Sequence, residues 1–102
     1  MESVEGQFWS VVGSSHYPRA SQVTHGTLLY VLKHPIPDHP WNIGVFESST
    51  GEQIGTLNKN RIKKVYTLFP DAGYKATVEF IQYAKFALRP NLLKIRISGI
   101  IE

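Results

Sequence analysis

"NIGVFESSTGEQIGTLNKNRI", residues 42–62, holds two strand-like runs, the turn between them and the entry to a helix. "NIGVFE" (42–47) and "QIGTL" (53–57) are rich in β-branched and aromatic residues, and "SSTGE" between them supplies turn chemistry. Gly51 is free to take positive φ there, so the pair reads as a hairpin. The period then changes. Across "NKNRIKKVYTLFP" (58–70), Ile62, Val65, Tyr66 and Phe69 fall at i, i+3, i+4 and i+7, one stripe of a helix. Asn58 suits the N-cap and Pro70 a stop. Lys59, Arg61, Lys63 and Lys64 occupy the remaining arc, so this helix buries one side and shows a basic one.

Outward from this segment the chain is mostly strand. "QFWSVVG" (7–13) is a first strand ended by Gly13, and "TLLYVLK" (27–33) is a nearly continuous apolar one. "SSHYPRASQVTHG" (14–26) joins them as a long polar connection containing Pro18. "HPIPDHPWNIGVF" (34–46) sets a stiff loop with three prolines and Trp41 directly ahead of the third strand. Such a loop is costly to order unless it packs or binds something. "YKATVEFIQY" (74–83) alternates, with Ala76, Val78 and Phe80 on one face. "LLKIRISGII" (92–101) does the same, Leu93, Ile95 and Ile97 opposing Lys94, Arg96 and Ser98. "AKFALRPN" between them is a loop or a short helical turn. The pattern predicts a mainly β fold with one or two short helices. About six short strands must hide their edges, and a small curled barrel with the helix plugging one end does so economically.

One domain accounts for 102 residues, and 42% apolar with 19% charged residues is the balance of a globular chain. No apolar run is long enough to cross a bilayer, and "MESVEGQFW" lacks the charged and apolar regions of a signal peptide. With no cysteine, disulfides and Cys-based zinc sites or nucleophiles are excluded. These features predict an intracellular setting, cytoplasmic or nuclear. Residues 1–50 carry two cationic against four acidic side chains, a net of −2. Residues 51–102 carry nine against four, a net of +5. That asymmetry points to a polyanion or an acidic partner, and equally to a solvated charged face.

Enzyme signatures are nearly absent. Ser14 and Ser15 stand beside His16, but a catalytic serine needs a base presented from elsewhere in the fold. His34, Asp38 and His39 are metal-ligand types without a ligand spacing. No close carboxylate pair and no phosphate-cradling glycine loop is present. The reading is therefore a non-enzymatic protein without metal or other cofactor. Binding features are stronger: His16, Tyr17, His39 and Trp41 gather in loops, and Asn58–Arg61 open a basic helix. Aromatic platforms beside cations suit single-stranded nucleic acid, since bases stack on rings while cations meet phosphates. Loop aromatics also serve as packing residues, Trp41 as a core lid among them.

In order and spacing, "SVVGSSHY", "GTLLYVLKHP", "NIGVFESSTGEQIGTLNKNRI" and "ATVEFI" resemble the HIRAN domain. The likeness runs over roughly residues 8–82, and "GEQIGTLNK" is its most telling part. It implies a single HIRAN-like domain over residues 1–102, with an OB-like or SH3-like barrel that captures the 3′ end of single-stranded DNA. Carried over by position, the nucleic-acid-binding residues are Ser15, His16 and Tyr17, then the loop Pro37–Trp41 with Asp38, His39 and Trp41, then Lys59. Arg61 and Lys63 join them as the neighbouring helix cations. In the 37–41 loop this chain departs from the family, whose tyrosine and aspartate positions hold His39 and Pro40 here. Asp38 and Trp41 restore both roles only along a different loop path.

The sequence thus predicts a single-stranded DNA-binding module of repair, replication or mobile elements. RNA is the other nucleic acid it fits. The alternative is a protein-interaction barrel that takes a peptide through its aromatic loop or a partner strand at an edge. "RISGIIE" ends the chain within a strand-like run, consistent with a domain of a larger parent protein.

Overall fold

The computed structural model describes residues 4, 6–13, 16–83 and 90–101. Six strands follow in chain order: β1 Phe8–Val12, β2 Leu28–Lys33, β3 Ile43–Glu47, β4 Gln53–Leu57, β5 Tyr74–Tyr83 and β6 Pro90–Ile100. They close into an antiparallel barrel in the order β1-β4-β3-β2-β5-β6. One helix, α1 (Lys59–Val65), lies between β4 and β5, and 3₁₀ turns cover Pro18–Gln22 and Tyr66–Leu68. All six strands follow in the predicted order, and the helix begins where the residue pattern places it. Of "AKFALRPN", expected as a loop or a short helical turn, residues 84–89 lie outside the described residues, whereas Pro90 and Asn91 already belong to β6, where Pro90 pairs with Tyr83.

Closure comes from β1, which pairs with β6 from Phe8↔Arg96 to Val11↔Leu93 and with β4 through Val11↔Leu57 and Val12↔Thr56. Each described strand therefore has two neighbours in the barrel. Inside, Trp9, Leu29, Val31, Ile43, Val45, Ile54, Leu57, Leu93, Ile95 and Ile97 form one core with Ile62, Val65 and Phe69 from the helical segment.

Three details differ from the sequence pattern, each for a physical reason. The helix was expected over 58–70 but gives way at Val65, where the backbone turns to φ −126° and ψ 7°. The β-branched and aromatic Val65–Thr67 run is a poor helix former. Phe69 is drawn into the core instead, edge-on to Trp9 (6.3 Å) and Tyr74 (5.2 Å). The polar connection after β1 also packs. Ala20 and Val23 are fully buried, and Arg19 reaches Glu47 Oε1 at 2.8 Å, fastening the 3₁₀ turn beside the β3–β4 turn. Finally, Phe80 does not share a face with Ala76 and Val78. Val78 faces Ile95 while Phe80 faces Lys94, so Glu79 is an extra residue, a β-bulge. The bulge turns Phe80 outward, 45% exposed, and brings Ile81 against the core in its place.

Glu47 is buried among donors. Arg19, Thr50 and Ser49 donate to its Oε1 at 2.8, 2.8 and 3.2 Å. Burial alone would raise its pKa, but these hydrogen bonds and the Arg19 charge outweigh it and hold the carboxyl below its ordinary value.

Candidate nucleic-acid interface

The loop between β2 and β3 owes its stiffness to two consecutive β-turns. In the first, Ile36 and His39 exchange backbone hydrogen bonds (3.3 and 2.9 Å), leaving Pro37 and Asp38 at the tip. In the second, Asn42 N–H donates to the His39 carbonyl at 3.1 Å, and Pro40 and Trp41 are the central pair. Proline follows the first residue of each turn, where its fixed φ is already correct. Buried Asn42 then closes the loop on itself. Its side-chain amide donates to the His34 carbonyl at 2.8 Å, and its own carbonyl accepts from His34 N–H at 2.9 Å.

This path decides where the loop side chains go. Asp38 stands exposed at the first tip and His39 is half-buried at the joint. Trp41, at the second tip, is 46% exposed, so it is no core lid. Lys63 Nζ lies 5.3 Å from the centre of its ring. The loop and the helix are thereby joined into one surface, a half-exposed aromatic ring with an ammonium over one face.

β4 brings the other segments near. Thr56 pairs with Gly44 on one side and Val12 on the other, so β1 leaves the barrel and β3 enters it close to where β4 runs into α1. A Cβ placed on Gly13 would have His16 Cδ2 and Thr56 Oγ1 both at 4.0 Å, which sets exposed His16 over the outer side of β4. Tyr17, half-buried, precedes Pro18 at the head of the 3₁₀ turn. Asn58 caps the helix, its Oδ1 accepting from Arg61 N–H at 3.3 Å. Lys59 is the first helical residue; only its backbone is described. Ser15 lies outside the described residues.

Arg61 faces the opposite flank of α1 from Lys63. Its guanidinium lies 3.6 Å from the centre of the Trp9 ring and donates to the Phe8 carbonyl (2.6 Å) and to Gln7 Oε1 (3.0 Å). Partial burial lowers its pKa from the usual guanidinium value. These contacts fasten the helix to β1. With Lys64, Asn58, Ser10 and Trp9 it lines an open cleft of about 460 Å³. The sequence grouped Arg61 with Lys63; the structure sends the two to different tryptophans. No group of three His, Asp or Glu side chains comes together as a cation site among the described residues. His34 instead meets the edge of Phe46 at 5.7 Å.

What the residue pattern missed is the distinction between the two tryptophans. The signal was present: Trp9 stands in phase with the buried position Val11, whereas Trp41 follows a proline in a turn.

The barrel and its helix are similar to the HIRAN domain of human HLTF in a crystal structure. The TM-score is 0.67 at 19% identity, and the match covers 95% of this chain and 78% of that one. The fold expected from the resemblance is thus the fold observed. No family profile matches the chain, and no curated protein matches it. No helix among the described residues is long and apolar enough to cross a membrane.

Proposed function

We propose that this HIRAN-like barrel is a binding module for single-stranded nucleic acid, DNA in the first place, which it holds at the 3′ end. The observation that carries the reading is Trp41. It is exposed, fixed at a proline turn and flanked by Lys63, on the side of the barrel where the loop before β3 meets the helix. A base stacked on an aromatic ring contributes about 1–3 kcal/mol, and the adjacent ammonium meets the phosphate next to that base. His16, Tyr17, Asp38, His39 and Lys59 surround this platform by position. In this reading Asp38, beside the tyrosine position now held by His39, serves the terminal hydroxyl along the altered loop path. The role is binding without catalysis, and the pathway is one that handles exposed DNA ends.

The test is fluorescence anisotropy with labelled oligonucleotides bearing free or blocked 3′ ends, alongside RNA of the same sequence. Expected is a preference for free-ended DNA, affinity that falls steeply with salt, and a sharp loss in Lys59→Glu with the fold intact. Absence of binding to any strand at low salt would sink the proposal. Equal affinity for blocked ends would remove its 3′-end part, and a preference for RNA its DNA part.

A further inference from the structure

The bulge at Glu79 creates a second surface on a different part of the barrel. β6 runs between β1 and β5, and the outward side chains of the three strands form a shallow trough. Phe8 stands on one wall at 55% exposure and Phe80 on the other at 45%. Lys94 and Leu92 lie on the floor, for Lys94 pairs with Ser10 on one side and Phe80 on the other. With Glu79 these four side chains enclose a groove of about 530 Å³. The walls are two strand spacings apart, roughly 10 Å, a width that admits an extended chain.

The charges in the groove are not equivalent. Glu79 is engaged by Thr77 Oγ1 at 2.9 Å and Arg96 Nε at 3.3 Å, with His25 Nε2 at 4.0 Å. The Lys94 side chain makes no hydrogen bond or ion pair with the described residues and is the free charge among those lining the trough. A regular strand would have buried Phe80; here the bulge presents it to solvent opposite another exposed phenylalanine. The groove thus sets two exposed phenylalanines and Leu92 beside a lysine.

We propose that the outer face of β1, β6 and β5 docks a short extended segment of a partner protein, apolar with an acidic residue at its centre. Its apolar side chains fill the space between Phe8 and Phe80 over Leu92, and its carboxylate meets Lys94. Nucleic acid is the poorer occupant: among the described residues the groove offers one free cation, next to a carboxylate, where a phosphate chain needs a run of cations. The proposal is independent of the reading of Trp41.

The experiment selects binders from a displayed library of random 12-residue peptides and maps them by amide shifts on the ¹⁵N-labelled full chain. Expected are acidic, apolar sequences that perturb Phe8, Phe80, Leu92 and Lys94. Lys94→Glu should weaken them about tenfold, Phe80→Ser at least as much, and Trp41→Ala not at all. Both substituted positions are exposed, and the unchanged amide spectrum outside the groove checks the fold. A selection that yields no peptide, peptides of basic character, or binders indifferent to Lys94→Glu overturns the proposal. So does an oligothymidine that perturbs the same four residues in place of the peptides.

Discussion

Two cations, two residues apart on one short helix, each lie against a tryptophan, and the two pairs have opposite characters. Arg61 covers Trp9 at 3.6 Å, with two hydrogen bonds holding the guanidinium in place and the indole 1% exposed. Lys63 stands 5.3 Å from Trp41, whose ring remains 46% open to solvent. The chemistry of attraction is the same in both. What differs is what remains available afterwards. The Arg61 pair spends its donors on the protein and fastens the helix to β1, whereas the Lys63 pair leaves much of the Trp41 ring open to solvent. A cation beside an aromatic ring is thus no evidence of binding until its other contacts are known.

The largest test of that contrast is truncation of the two rings. Trp9→Ala empties the core and should cost about 3–5 kcal/mol of stability in chemical denaturation. Trp41→Ala should move stability by no more than about 0.5 kcal/mol. Its effect should appear in oligonucleotide affinity instead, a loss of about 1–3 kcal/mol by anisotropy. Equal destabilisation by both would erase the distinction.

Removal of the cations should show the same division at smaller scale. Arg61→Ala loses a cation–π contact and two hydrogen bonds at a largely exposed site, about 1–2 kcal/mol of stability. Lys63→Ala should leave the melting transition in place and reduce the slope of log affinity against log salt by about 1. A melting loss in Lys63→Ala that matched Arg61→Ala would place both cations in the scaffold.

Acid sharpens the comparison with the smallest effect near neutrality. The Glu47 carboxyl is held below its ordinary value of 4.5 in the fold, so its contribution to stability is complete above about that pH. It is lost as pH falls further, through the folded value. Arg19→Ala removes the leading hydrogen bond to Glu47 and leaves burial to dominate, so acid unfolding should begin at higher pH. Trp9 emission should follow that transition. Lys63 has no acidic partner among the described residues, so the scaffold should loosen first.

The sequence made the strands and their order legible because alternation and turn residues agree along most of the chain. It also located the helix entry, since Asn58 caps it as its side chain suggests. Phe80 was misread for a definite reason. An apolar residue at every second position from Ala76 continues a regular strand, and only pairing with β6 shows that Glu79 is supernumerary. The two tryptophans were harder to separate, because burial of Trp9 depends on closure with a strand some 85 residues away. The proline turns were visible as stiffness, but that they aim Trp41 at Lys63 depends on where the helix lies.

That distant closure also bears on how the protein reaches its fold. β1 cannot acquire its β6 neighbour until the chain has been made as far as Leu93–Arg96, and the pairing joins segments almost a full chain length apart. The β2–β3 and β3–β4 pairs link neighbours in sequence and can form early at little entropic cost. The barrel should therefore assemble as a meander of inner strands first, with β1 sealing it in a later and slower step. During synthesis the chain would carry Trp9 uncovered until β6 emerges, and the quenching of that one indole would time the seal.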